Sequence, residues 1–273
     1  MSENIFSQTN KKLETLSSQV GFDIPVESIS LPSRGLIYPP ENAFHMCEET
    51  EIRCMSAKDE DILSSRALIK KGSVISELLK SCLLNKSVDV DSLLIGDRNA
   101  LLIGIRVSGY GPSYSAKIEC ADCNEQFDND FTLNNLKIKR LGVDPISPGQ
   151  NLFSFHLPIS KKDIQFKLLT GADDLLLSQQ AEKQKKLGSQ IDDSKSRRLF
   201  QSVISIAGET DRNKVNRIVS NLPAGDSFAL RKYVEQIEPG VEMKQEVTCK
   251  ACNSTQEVDV PLGPTFFWPD FGN

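Results

Sequence analysis

The sequence predicts an α+β fold in which helical blocks are joined by a small antiparallel β element. Three observations carry this. Apolar residues recur at helical spacing between residues 56 and 107, and the period changes to alternation from Tyr114. Two CxxC pairs, Cys120/Cys123 and Cys249/Cys252, each follow a short alternating segment. The chain has 273 residues, 39 % of them hydrophobic and 25 % charged, an ordinary globular mix with enough apolar material for a core.

In chain order, residues 1–50 read as an extended N-terminal arm, of which residues 1–30, polar and weakly patterned, are either mobile or ordered only against a partner. Within it, Leu31-Pro32-Ser33-Arg34-Gly35-Leu36-Ile37-Tyr38-Pro39-Pro40 has prolines near both ends and a central glycine, which predicts a kinked, extended element. Residues 51–55 alternate like a short strand. Residues 51–113 otherwise form a helical block. Ser56 is a fitting N-cap, with Asp59 three residues on, for a helix presenting Ile62, Leu63, Ala67 and Leu68. Gly72 separates it from a second helix, which Ser73 can cap and which carries Val74, Ile75, Leu78, Leu79, Cys82 and Leu83 on one face. Cys82 therefore reads as a small buried hydrophobe. Residues 97–107 form a third helix, apolar enough to be central, and Gly109-Tyr110-Gly111-Pro112 ends it.

Residues 115–119 and 125–133 predict a hairpin tipped by the first CxxC, with Phe127, Phe131 and Leu133 facing inward. A second hairpin, residues 243–248 with Val258 and Val260 beyond, is tipped by the other. Asn124 and Asn253 follow the two pairs, and asparagine tolerates the left-handed conformation a tight turn demands there. Residues 114–133 with 243–262 thus form one β element, and residues 134–242 are a β/helical insertion. In the insertion, Phe153/Phe155/Leu157 and Ile164/Phe166/Leu168 mark two strands. Asp173 and Asp174 open a helix ending in Lys183, Lys185 and Lys186, an order that complements the macrodipole. A second helix carries Leu199, Phe200, Val203, Ile204 and Ala207. A third is marked by Val215, Ile218, Val219 and Leu222, and the last by Phe228, Leu230, Tyr233, Val234 and Ile237 before Pro239-Gly240.

Two CxxC turns supply four thiolates, a tetrahedral set suited to structural Zn2+, so the β element is zinc-ribbon-like with Cys120, Cys123, Cys249 and Cys252 as ligands. Four cysteines leave no open position for water, which argues against a catalytic zinc. A thioredoxin-like motif would open a helix instead of tipping a hairpin. His45 and His156 are the only histidines and read as structural. Gly104 and Gly109 have Walker spacing, but Tyr110 stands where the motif needs lysine. Asp173/Asp174 and Asp192/Asp193 read as helix-flanking residues, because sequence neighbours do not face each other across a site. No catalytic constellation assembles, so no small-molecule substrate is expected.

Thirty-two basic against thirty-seven acidic residues leave a net charge of −5, which disfavours a broad grip on nucleic acid, including the zinc-ribbon nucleic-acid-binding alternative. The most basic stretch, Lys183 to Arg198 around Gly188-Ser189, reads as a solvated face with a link. No secretory signal or run of about 20 apolar residues is visible, so no membrane span is expected. The tail, residues 263–273, concentrates Phe266, Phe267, Trp268 and Phe271. Such a set either folds back on its own core or inserts into a neighbour. The proline-flanked segment with Leu31, Leu36 and Tyr38 also looks like a docking element, which favours the neighbour.

Several strings carry a family resemblance: Leu31 to Tyr38 as quoted, Ser56-Ala57-Lys58-Asp59-Glu60-Asp61-Ile62-Leu63, Arg66-Ala67-Leu68-Ile69-Lys70-Lys71-Gly72, Leu93-Leu94-Ile95-Gly96-Asp97-Arg98-Asn99-Ala100-Leu101 and Gly109-Tyr110-Gly111. With them the chain resembles the baseplate hub subunit family of T4-type contractile-tailed bacteriophages, from about residue 22 onward. The resemblance implies a non-enzymatic structural subunit, or a transient assembly chaperone, of the central tail baseplate. It implies a virion location, synthesis in the host cytoplasm, and other baseplate and hub proteins as partners.

Overall fold

A computed structural model describes residues 5–6, 15–17, 23–186, 194–261 and 264–267. Its organising element is the largely buried helix α4 (Ile95–Tyr110). The other elements are, in order, β1 (Thr15–Ser17), β2 (Asp23–Ser30), β3 (Glu49–Arg53), α1 (Ala57–Ser64), α2 (Arg66–Lys71) and α3 (Val74–Cys82) before it. After it come β4 (Ser113–Glu119), β5 (Gln126–Thr132), β6 (Ile138–Lys139), β7 (Phe153–His156), β8 (Asp163–Phe166), α5 (Gly171–Lys186), α6 (Ser194–Ser202), β9 (Val203–Ile206), α7 (Arg212–Ser220), α8 (Ala224–Ile237), β10 (Gly240–Val241), β11 (Lys244–Thr248) and β12 (Thr255–Asp259). The sheets are small and antiparallel: β1-β2-β3, β7-β8-β9, and the pairs β4-β5, β11-β12 and β6-β10. The architecture is α+β, as expected.

Burial surrounds α4. Ala100, Leu101, Ile103 and Ile105 are fully buried, and so are Gly96, Asp97 and Gly104. Two of its glycines are required by close approach. A Cβ on Gly104 would lie 2.5 Å from Ile29 Cδ1, and one on Gly96 would lie 1.9 Å from the Pro239 carbonyl oxygen. Strand β2 crosses one face of the helix, and the turn leading into β10 crosses its first turn.

The N-terminal arm is corrected by this packing. Residues 23–30 are not a loose arm but the middle strand of a sheet: Ile29 pairs with Thr50 and is fully buried, and Ser30 N–H donates to the Ile5 carbonyl at 3.0 Å. β2 lacks clean alternation, so its strand character comes from its neighbours. Residues 31–40 form successive turns folded over the N-terminal end of α4. Asp97 accepts hydrogen bonds there from Ser33 N–H (2.9 Å), Ser33 Oγ (2.6 Å) and Tyr38 Oη (2.5 Å), and Tyr38 Oη accepts from Leu94 N–H at 3.0 Å. Burial pushes the Asp97 carboxyl up, and these donors oppose it. Leu31 and Tyr38 are buried and Leu36 half-buried against the core, so the expected docking element is an internal one.

The helix expected from Ser56 to Leu68 breaks at Ser65, which ends α1 and precedes α2. Ser64 Oγ bonds back to the carbonyls of Glu60 and Asp61, a competition with the helix ladder that serines favour. Leu63 stays in the core and Ala67 is exposed. The Ser73 hydroxyl makes no capping bond. The expected helix through Ala207 is also corrected: α6 stops at Ser202, and Val203 and Ile206 enter the core as a β strand on β8. The β-branched run Val203-Ile204-Ser205-Ile206 suits the pleat. Cys82 is fully buried, and burial pushes its thiol up to about 12. His45 Nδ1 lies 2.6 Å from the Tyr38 carbonyl oxygen, and exposed His156 pairs with Asp163. Asp192, Asp193, Gly188 and Ser189 lie outside the described residues.

Asp59 ties α1 to β3 and α3. It accepts from both Arg53 Nη atoms (2.7 and 2.9 Å), from Ser56 N–H and Oγ, and from Ser81 Oγ. Burial alone would raise its carboxyl, but Arg53, Ser81 and Ser56 together hold it well below the usual range. Asp59→Ala is expected to cost about 3 kcal/mol at neutral pH, because it strands a partly buried guanidinium. A depressed carboxyl stabilises above its unfolded pKa, and that stability drains away as pH falls towards the folded value. Urea titrations should therefore show the gap to the parent narrowing below about pH 4.

Candidate metal centre

The centre is built outward from the end of α4. Gly111 takes φ +80 there, and β4 starts two residues later. Arg106 is 1 % exposed and has no carboxylate partner among the described residues. Its guanidinium donates instead to three carbonyl oxygens, those of Phe266 (2.7 Å), Gly111 (2.9 Å) and Ser113 (3.0 Å). These bonds fix the root of the β4-β5 hairpin and hold the 3-10 turn Pro264–Phe267 against it. Tyr114 joins the two hairpin roots, since its hydroxyl donates to the Pro261 carbonyl at 2.9 Å and its ring meets Phe266 edge-on at 5.2 Å. In β4-β5, Tyr114 opposes Phe131 and Ile118 opposes Phe127, all buried. Val247 and Val260 bury the inner side of the second hairpin.

The two tips have matching backbone. Cys120 N–H donates to Glu125 O and Asn124 N–H to Cys120 O, each at 2.9 Å. Cys249 N–H donates to Ser254 O and Asn253 N–H to Cys249 O, each again at 2.9 Å. Asn124 and Asn253 have φ of 57° and 58°, the left-handed turn expected of them. Gln256 stitches the tips together. Its Oε1 accepts from Ala121 N–H at 2.8 Å and its Nε2 donates to Glu119 O at 2.9 Å, while Ser254 Oγ donates to Asp122 Oδ2.

The sulfurs of Cys120, Cys123, Cys249 and Cys252 all lie within 4.8 Å of one another. Cys120 and Cys252 are 3.6 Å apart and Cys123 and Cys249 are 3.8 Å apart. A disulfide needs about 2.05 Å. A tetrahedron with metal–sulfur bonds of ~2.3 Å has edges of ~3.8 Å. The donor set and its spacing therefore fit a tetrahedral thiolate-bound metal ion. Electrostatics point the same way. The amides of Cys123 and Asp122 draw the Cys120 thiol down to about 7. The Glu125 amide also pulls on Cys123, but local desolvation and the three neighbouring thiols push that group up to about 12. A cation at the centre would favour the remaining thiolates by offsetting their mutual repulsion. Cys120 and Cys249 are buried, whereas Cys123 and Cys252 are exposed.

The other expected site residues fall elsewhere. Phe266 and Phe267 are buried in the chain's own core, which corrects the outward docking expected of them; Trp268 and Phe271 lie outside the described residues. Arg106, Tyr114 and Gln256 were not anticipated. Only Arg106 left a trace in the sequence, as a lone cation inside the apolar run of α4. No helix among the described residues is long and apolar enough to cross a membrane.

A model of the family described as T4 bacteriophage base plate protein matches residues 46–268, most of the chain, and the chain belongs to that family. The match begins beyond the string Leu31 to Tyr38. No curated protein matches the chain significantly, and no solved structure does.

Elemental analysis of the purified protein should find one metal ion per chain. Cys120→Ser and Cys249→Ser should each lower that content about tenfold or more. The far-ultraviolet helical signal should persist in both, because α1 to α4 are held by contacts remote from the sulfurs.

Proposed function

We propose that this member of the T4 base plate protein family is a structural subunit of the central hub region of the phage tail baseplate, working by protein–protein docking during virion assembly. The family match over residues 46–268 carries the reading, since it implies a structural role in the tail and other tail proteins as partners. Many modest interfaces in a ring of subunits add through effective concentration. The subunit's own contribution is to hold docking surfaces in fixed relation, and no reaction is assigned to it.

Within this reading the four cysteines hold structural Zn2+. Zinc suits four thiolates in a tetrahedron, does no redox chemistry, and would clamp residues near 120 to residues near 250. The clamp favours a scaffold over a nucleic-acid module. The tips and strands around it expose Glu119, Asp122, Glu125, Asp128 and Asp130, which repel phosphates. Docking falls to exposed apolar side chains. Phe228 on α8 is 61 % exposed and Ile159 is 58 % exposed. They share a face, since Ile159 lies over Gly225, one helical turn before Phe228.

Mass spectrometry of purified particles tests the reading. The subunit should be retained in mature tails, and its absence would favour a transient assembly chaperone. Phe228→Glu should change monomer stability by no more than about 0.5 kcal/mol. It should lower incorporation into tails about tenfold, as loss of an aromatic anchor does. Elemental analysis should identify the bound ion as zinc in a colourless protein. Iron with visible absorption would overturn that assignment.

A further inference from the structure

The β7–β8 turn and the end of α7 frame a pocket of about 310 Å³ next to the Ile159–Phe228 face. Ile218, Leu222 and Pro223 give it an apolar lining, and the exposed side chains of Lys162 and Arg217 complete it. No carboxylate lines it, and neither cation forms an ion pair among the described residues. Arg217 is not needed to cap α7. The last carbonyls of that helix are met by Asn221, whose N–H donates to Ile218 O at 3.0 Å and whose Nδ2 donates to Arg217 O at 2.7 Å. Asp226, fully buried at the start of α8, is engaged by the turn, accepting from Ile159 N–H (2.7 Å) and Ser160 N–H (2.9 Å). Leu157 N–H closes the same turn on Lys162 O at 2.9 Å, so both cations project from a fixed backbone. Pro223 lies two residues before Gly225, over which Ile159 packs, and the pocket and the apolar pair therefore form one surface.

We propose that this surface receives an acidic segment of a neighbouring protein, one in which a carboxylate stands beside an apolar side chain. The inference rests on the docking role given to Ile159 and Phe228 and names the chemistry that their face recognises. Charge complementarity selects the occupant. Two cations without an acidic partner attract a carboxylate, and the planar guanidinium of Arg217 offers it two parallel N–H donors. The apolar lining, with Ile159 and Phe228 beside it, shields that contact from water and strengthens it. A nucleic-acid phosphate suits the surface less. It would leave both apolar side chains uncovered, and the Ile159 and Ser160 amides that might otherwise bind it are held by Asp226.

The probe is a fluorescein-labelled, end-capped octapeptide of alternating glutamate and leucine, titrated with the full-length protein at low salt. Its anisotropy should rise to saturation. Lys162→Gln and Arg217→Gln combined in one protein should weaken binding about tenfold, and Phe228→Ser alone about threefold. All three positions are exposed, so circular dichroism should be unchanged. Lys70→Gln, at an exposed position on α2, should leave the affinity as it is. Absence of saturable binding would overturn the proposal. Equal weakening by Lys70→Gln and by the double variant would also overturn it, by showing diffuse attraction in place of a site. A DNA duplex that displaces the peptide from the parent and not from the double variant would assign the surface to nucleic acid. A parent dimer in light scattering that the double variant abolishes would assign it to a second copy. Peptide binding is read on the purified protein, so its failure is distinct from failure of the structural-subunit reading, which shows as absence from mature tails.

Discussion

Burial of α4 over most of its surface is the constraint from which much of the molecule follows. Charged side chains on so buried a helix must be satisfied internally, because an unpartnered buried charge costs several kcal/mol. Asp97, Arg98 and Arg106 meet that demand by recruiting other elements. Asp97 gathers Ser33 and Tyr38, which folds residues 31–40 over the start of the helix. Arg98 donates to the Val90 carbonyl and to Asp91, which fastens the α3–α4 connection. Arg106 gathers the β4 root and the C-terminal 3-10 turn. Each is a charge whose partners lie far away in sequence or in a loop, so the helix acts as an addressing device as well as a core.

The cysteine centre depends on that device. Two turns separated by more than a hundred residues meet because Arg106 and Tyr114 hold the roots of their hairpins together. Gln256 then aligns the tips without help from the sulfurs. Amide donors favour a thiolate at Cys120, and the neighbouring thiols oppose a second one at Cys123. The joint is aligned by hydrogen bonds that do not involve the sulfurs. In a tail subunit, such a joint keeps two hairpins and the helix behind them in one orientation while outer surfaces meet their neighbours.

Much was legible in the sequence where a local rule was strong. The CxxC spacing and the asparagines after it specified two matching turns, and the observed φ angles follow. Helical periodicity located α3 and α4, and alternation located β4, β5, β7 and β8. Failures cluster where a neighbour supplied the missing term. β2 has no clean alternation and becomes a strand because β3 and α4 cover it. Val203 to Ile206 carry apolar residues that fit either period, and the free edge of β8 decides between them. Leu31, Tyr38 and Phe266 looked like docking residues because aromatic and aliphatic groups beside prolines look alike whether they face a partner or their own core.

By itself the sequence determined the fold class, the central helix, the four-sulfur donor set and the likeness to a baseplate family, since each rests on residue type and spacing along the chain. Only the tertiary structure decided which of the apolar segments are inside. Burial is a property of what lies opposite in space, and Ser33 facing Asp97 or Phe266 facing Arg106 is set by contacts that no local pattern encodes.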